Sequence, residues 1–227
     1  GPDGEGGAYG GMNPRMKNAI ESIDYSPQEG RPLGRCLREL NRTGEEFGNK
    51  RVLDLGAAKD LRFARGLQER GIKAEVFSFS PAFSEKERAD RARAPQDEAS
   101  RLVVAGSFST NPISYLPFED GSFDRVVSLH VTQHLPQGDL VPFIYDVARI
   151  VAKGGIADIT PFYELPPDID HPSAKVPDAE LAALADMGVT PEWRRPEPPY
   201  DMQALQIDLA TIVHVPVYVL TLKKAAV

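Results

Sequence analysis

At 227 residues and 41% hydrophobic content the chain can bury one sizeable core, and no linker-like stretch divides it in two. A formal net charge of −7, from 26 basic against 33 acidic side chains, argues against a general attraction to nucleic acid. No apolar run reaches the roughly 18 residues of a membrane span, the first residues lack signal-peptide order, and the single cysteine, Cys36, excludes an internal disulfide, so we expect a soluble, cytoplasmic protein.

Residues 1–12 are glycine-rich and poor in apolar side chains, and form either a flexible native tail or, at the leading Gly-Pro, the remnant of a cleaved fusion. One domain, 13–227, is expected after them. From Asn13 to Asn41 apolar residues recur at helical spacing around a break at Pro27 to Pro32, with Leu33, Cys36, Leu37 and Leu40 in the second half. Residues 13–45 thus predict a helical cap, which either covers the carboxyl edge of the first strand or packs plainly against the sheet.

Val52 to Leu55 predicts a short buried strand. Asp54 and Gly56 close it, and a turn leads into a helix over Leu61 to Arg70, a geometry that exposes backbone N–H groups at the carboxyl edge of a sheet. Further strands are predicted at Ala74 to Phe79, Arg101 to Ala105, Phe123 to Leu129 and Ile156 to Thr160. Helices are predicted at Ser84 to Ala94 and at Gly138 to Ala152, the latter stopped by Gly154-Gly155. Alternation of this kind specifies an α/β fold with a single doubly wound, mostly parallel sheet flanked by helices, and right-handed crossovers bring all the parallel strand ends to one edge.

Residues 161 to 177 hold five prolines together with Tyr163, Glu164, Asp168, Asp170 and His171, either a substrate-contacting loop or a braced polar surface loop. A helix follows at Pro177 to Met187. Trp193, Arg194 and Arg195 read either as a stacking site for an anionic or aromatic ligand or as a half-buried tryptophan between solvated arginines. Val213 to Leu222 predicts a last strand, which Pro216 places near an edge or at a strand start, while Leu205 to Ile212 fits helix or strand.

Four segments in series resemble the class I S-adenosylmethionine-dependent methyltransferases: Val52-Leu53-Asp54-Leu55-Gly56, Phe79-Ser80-Pro81, the run from Leu116 to Ser128, and Ala148 to Gly155. The resemblance implies S-adenosylmethionine as cofactor. It implies that Asp54 holds the methionine amino group, directly or through water, and that the backbone of Gly56, Ala57 and Ala58 passes close to the cofactor. Ser78 stands where the family usually has a carboxylate for the ribose hydroxyls, and Ser107, followed by Phe108, where it commonly has an aspartate for the adenine amino group. Asp60 either crowds the cofactor or caps the next helix. Glu75, Asp60 or a backbone amide is left to replace the lost contacts.

After the fourth strand the resemblance implies an apolar, histidine-bearing segment at the methyl-transfer site, here Leu129 followed by His130 and His134. Their spacing puts both imidazoles on one helix face, where either orients or deprotonates an acceptor oxygen or nitrogen; satisfaction of backbone groups by His134 is the structural alternative. No metal site is expected, since the His-Glu-x-x-His pattern is absent. Two functions follow: a methyltransferase acting on a small molecule or a group of a partner protein, or a methyltransferase-like scaffold that has lost its cofactor and serves as a binding or regulatory subunit. A non-methyl reaction such as a cyclisation is a third.

Overall fold

The computed structural model describes residues 31–56, 61–79, 116–135 and 138–227, and the backbone alone at 101–102. The expected tail and first cap helix, Ala57, Ala58 and Asp60, the helix at 84–94, and Ser107 with Phe108 lie outside the described residues.

Eight strands are described: β1 (Arg51–Leu55), β2 (Glu75–Phe79), β3 (Arg101–Leu102), β4 (Phe123–Leu129), β5 (Val151–Tyr163), β6 (Val189–Arg194), β7 (Met202–Gln206) and β8 (Ile212–Lys224). They run in the order β3-β2-β1-β4-β5-β8-β6, with β7 paired to the first part of β8. Pairs from β3 through β5 are parallel; β8 runs antiparallel to β5, β6 and β7. The helices are α1 (Leu33–Leu40), α2 (Arg62–Glu69), α3 (Leu140–Ile150) and α4 (Asp178–Leu181), the last continuing as a 3-10 turn, Ala182–Met187.

Alternation along the strands divides the core into two layers. Val52, Val76 and Val127 pack with α1 and α2 on one face, while Leu53, Leu55, Val126 and Ile159 pack with α3 and the α4 segment on the other. The sheet is therefore doubly wound and mostly parallel, as its sequence pattern specifies. Helix α1 buries Leu33, Cys36, Leu37 and Leu40, the positions of one helical stripe. It stops at Asn41, whose φ of 50° lets the Arg42 N–H bond back to the Leu37 carbonyl at 2.9 Å.

Three expectations need correction. The Gly154-Gly155 pair does not stop a helix: β5 starts directly after α3, and the partners of β4 jump from Phe123–Val151 to Arg125–Ile156, so the glycines form a bulge. A Cβ on Gly155 would lie 2.8 Å from two backbone oxygens. Second, β8 is interior. Pro216 sits where its partner changes from β7 to β5, and there the missing N–H is tolerated. Third, β6 was unforeseen because Pro191 and the prolines at 196–199 disguised it; an edge position accommodates Pro191. The open stretch 205–212 resolves into the end of β7, a turn and the start of β8.

Candidate functional site

Ser78, Asp54, Val127, Asp158 and Thr221 lie in one register row across β2, β1, β4, β5 and β8. Asp158, 1% exposed, is fully clamped. Arg42 reaches it with Nε at 3.0 Å and Nη2 at 3.1 Å, Thr221 donates its hydroxyl at 2.6 Å, and Arg194 stands at 3.6 Å. Arg194 also donates to the Leu40 and Asn41 carbonyls, at 3.0 and 2.6 Å. This cluster is a fastening: it fixes the carboxyl end of α1 to the middle of the sheet.

Asp54 is 6% exposed, and its carboxyl has no hydrogen bond or ion pair among the described residues. Burial without a partner raises its pKa from the ordinary 3.8 to about 7. Cys36 of α1 faces it, with a thiol pushed upward by burial first and by Glu39 and Asp54 second. At Gly56 the backbone takes φ +90° and its N–H bonds to the Phe79 carbonyl at 2.7 Å. A Cβ there would meet Val131 Cγ2 at 2.2 Å, so close packing of the segment after β4 demands this glycine independently of any ligand.

Ser78 is fully buried next to Asp54. Glu75 cannot stand in for the missing carboxylate, because it is exposed at the amino end of β2, at the opposite edge of the sheet. Leu129 ends β4 and packs against the core under α1.

His130 follows Leu129 with φ +60°, a strained conformation for a side-chain-bearing residue, and its N–H bonds to the Thr160 carbonyl at 2.8 Å. A 3-10 turn, Thr132–His134, begins only after it. The two imidazoles therefore do not share a helix face, contrary to the spacing argument. His130 Nε2 lies 3.2 Å from Glu39 Oε1 of α1. Arg31 Nε stands 3.4 Å from the other Glu39 oxygen and Arg35 Nε 3.7 Å from the same one as His130. Burial, then the two arginines, depress the His130 pKa against the opposing pull of Glu39, so the imidazole is neutral at pH 7. Burial alone would raise the Glu39 pKa, but His130 and the arginines outweigh it and keep the carboxyl ionised. Sequence reasoning did not single out Glu39. The available signal was the spacing of four in Arg31, Arg35 and Glu39, which puts an acid on the buried side of α1.

The loop after β5 is sorted by burial. Tyr163 and His171 are buried, whereas Glu164, Asp168 and Asp170 are exposed. His171 stacks edge-on to Tyr163 at 5.1 Å and accepts the Ser173 N–H on Nδ1 at 2.9 Å. Burial lowers its pKa to about 4, so it is neutral with its proton on Nε2. Ser173 in turn touches the Thr132 hydroxyl at 2.7 Å, tying this loop to the segment carrying His130 and His134. Trp193 is half-buried against Phe162 at 5.1 Å, with Lys175 over its ring. Its arginine neighbours are not solvated: Arg195 donates to the Val217 and Asp201 carbonyls, and Arg194 holds α1. His214 lies exposed on β8.

Residues 53–158 match the family model described as "Methyltransferase domain". No curated protein sequence matches the chain. Among solved structures, the [4+2]-cyclase SpnF is similar at 13% identity and a TM-score of 0.53, covering 94% of this chain and 92% of that one. A putative sarcosine dimethylglycine methyltransferase from Galdieria sulphuraria gives 14% and 0.51, covering 86% and 85%. A Burkholderia thailandensis 1,6-didemethyltoxoflavin-N1-methyltransferase, solved with 1,6-didemethyltoxoflavin and S-adenosylhomocysteine, gives 17% and 0.50, covering 93% and 84%. At such identities the likeness establishes a common fold. Among the described residues no helix is long and apolar enough to cross a membrane.

Proposed function

We propose that the chain, whose residues 53–158 match a methyltransferase-domain model, transfers a methyl group from S-adenosylmethionine to a small molecule or to a group on a partner protein. One observation supports this reading: a buried carboxyl, Asp54, that has no partner among the described residues at the end of β1 while burial raises its pKa to about 7. A cationic ligand amine is what such a group lacks. When bound, the cofactor supplies a methyl carbon activated by a sulfonium.

The chain's own residues then divide the work. Asp54 accepts from the ammonium group, and the backbone of Gly56, Ala57 and Ala58 lines the methionine end. Ser78 offers a hydroxyl toward the ribose, Ser107 and Phe108 flank the adenine, and Leu129 supplies an apolar wall. His130 and His134 orient the acceptor, and His130, whose pKa burial lowers, is neutral and able to accept a proton. Methyl transfer is an in-line displacement, so alignment supplies most of the rate.

Full burial of the neutral Ser78 favours a second reading, a scaffold that no longer takes the cofactor. A charge-assisted bond is lost there, worth roughly 1.5–3 kcal/mol. A cyclase also adopts this fold, so fold alone does not select methyl transfer. No nucleic-acid partner belongs to this reading, in keeping with the negative net charge. Titration calorimetry of the full chain with S-adenosylmethionine and S-adenosylhomocysteine decides. Heat with both, weakened by Asp54→Asn, supports the enzyme; no heat at millimolar ligand supports the scaffold.

A further inference from the structure

We infer that Trp193 and Tyr218 form a two-walled aromatic cage for the alkylated ammonium group of a small molecule, and that Lys175 is its resident guest, displaced when such a ligand binds. The cage stands apart from the site assigned to the cofactor. Its rings pack against the α3 and α4 layer of the core, whereas Asp54 lies under α1, on the other face of the sheet.

The walls come from neighbouring strands. Trp193 of β6 pairs with Leu220 of β8, which shares a face with Tyr218 two residues earlier. The two rings stand 6.3 Å apart between centroids, at 85° to each other. Phe162 of β5, fully buried and paired with Tyr218, backs the Trp193 ring at 5.1 Å and 81°. Strand pairing and a buried third ring thus fix the walls before any ligand arrives.

Lys175 shows that an ammonium fits between them. Its backbone N–H is held by the Tyr163 carbonyl at 2.9 Å, and its Nζ stands 5.1 Å from the Trp193 centroid and 4.2 Å from that of Tyr218. Among the described residues this ammonium makes no hydrogen bond or ion pair, so the negative ring faces are what attract it. A lysine ammonium gives up hydrogen bonds to water there and receives none in return. An alkylated ammonium keeps the attraction and has fewer N–H groups, or none, to satisfy, so the same cage favours it.

The surroundings agree with a cationic guest. The Tyr218 hydroxyl donates to the exposed Glu164 carboxylate at 3.2 Å, which sets an anion at the rim. Arg195 also stands over Tyr218, 4.9 Å from its centroid, but the Val217 and Asp201 carbonyls hold it at 2.9 and 2.6 Å. Of the two cations on that ring, Lys175 is therefore the one that can leave. Lys175, Trp193 and Tyr218 are all half-buried, so the cage opens on solvent. The anionic ligand considered for Trp193 from the sequence has the wrong charge for these ring faces.

Trp193 is the chain's only tryptophan, so its fluorescence reports on the cage directly. The full chain is titrated with tetramethylammonium chloride, with sodium chloride at equal ionic strength and uncharged tert-butanol as references. Lys175→Ala should respond to tetramethylammonium at about tenfold lower concentration than the native protein, because the internal competitor has gone. Lys175→Gln, which keeps most of the side-chain stem, should show the same gain and serves if the alanine variant does not fold. Adding Tyr218→Leu, with folding checked by circular dichroism, should abolish the response. A midpoint unchanged in the lysine variants would overturn Lys175 as the resident guest. A response to sodium chloride or tert-butanol equal to that with tetramethylammonium, or one that survives Tyr218→Leu, would overturn the cage.

Discussion

Two aspartates, Asp54 and Asp158, lie in the same row of the same sheet, two strands or roughly 10 Å apart, under the same helix α1. Both are buried, yet Asp158 receives two arginines and a threonine hydroxyl while Asp54 receives nothing among the described residues. Burying a carboxylate is tolerable only when its lone pairs are met. Asp158 obeys that rule and holds the structure together. Among the described residues Asp54 departs from it, and under the proposed function that cost at the end of β1 is kept for a ligand.

Breaking the clamped member should have the largest effect. Asp158→Ala leaves Arg42 and Arg194 facing each other without their anion and should destabilise the chain by about 3–5 kcal/mol in urea titrations. Next comes the turn beside the bare member. Gly56→Ala forces an alanine to φ +90° and a Cβ into Val131, and should cost about 3 kcal/mol. Adding Val131→Ala should recover the collision and not the backbone strain.

The bare member should behave in the opposite sense to the clamped one. Its folded pKa, about 7, lies above its ordinary 3.8. Below about pH 4 both folded and unfolded chains hold the proton; between 4 and 7 only the folded chain does, so the stability contribution is lost as pH rises through that window. The full cost of ionising Asp54 is about 4 kcal/mol. Asp54→Asn should therefore gain about 4 kcal/mol on the native protein between pH 4 and pH 8, nearly equal to it at the lower pH and the more stable protein at the higher. Chemical denaturation at the two pH values reads this directly.

Much of this was legible beforehand where local chemistry decides. Phe123 to Leu129 is a strand to the residue, because a buried parallel strand is a short apolar run bounded by turn signals. Asp54 stood out as a carboxylate ending such a run. What sequence could not supply were partners brought from afar. Glu39 and His130 are 91 positions apart, and Arg42 and Asp158 are 116 apart, so neither pairing has a local signature. The glycine pair after α3 misled for the opposite reason: a helix stop and a strand bulge use the same residue, and only the register of β4 against β5 distinguishes them. Arg194 and Arg195 looked solvated because arginines usually are, yet backbone carbonyls of α1 and β8 engage both.

The role of Asp54 as the anchor of a cationic cofactor is tested most directly by the affinity for S-adenosylhomocysteine, measured calorimetrically from pH 5.5 to 8.5 in the native chain and in Asp54→Asn. Binding to an ionised Asp54 should tighten by about tenfold per pH unit below 7 and level off above it, whereas the variant should bind weakly and without that slope. Equal affinities in the two proteins, or a native affinity that does not change across the range, would contradict the assignment.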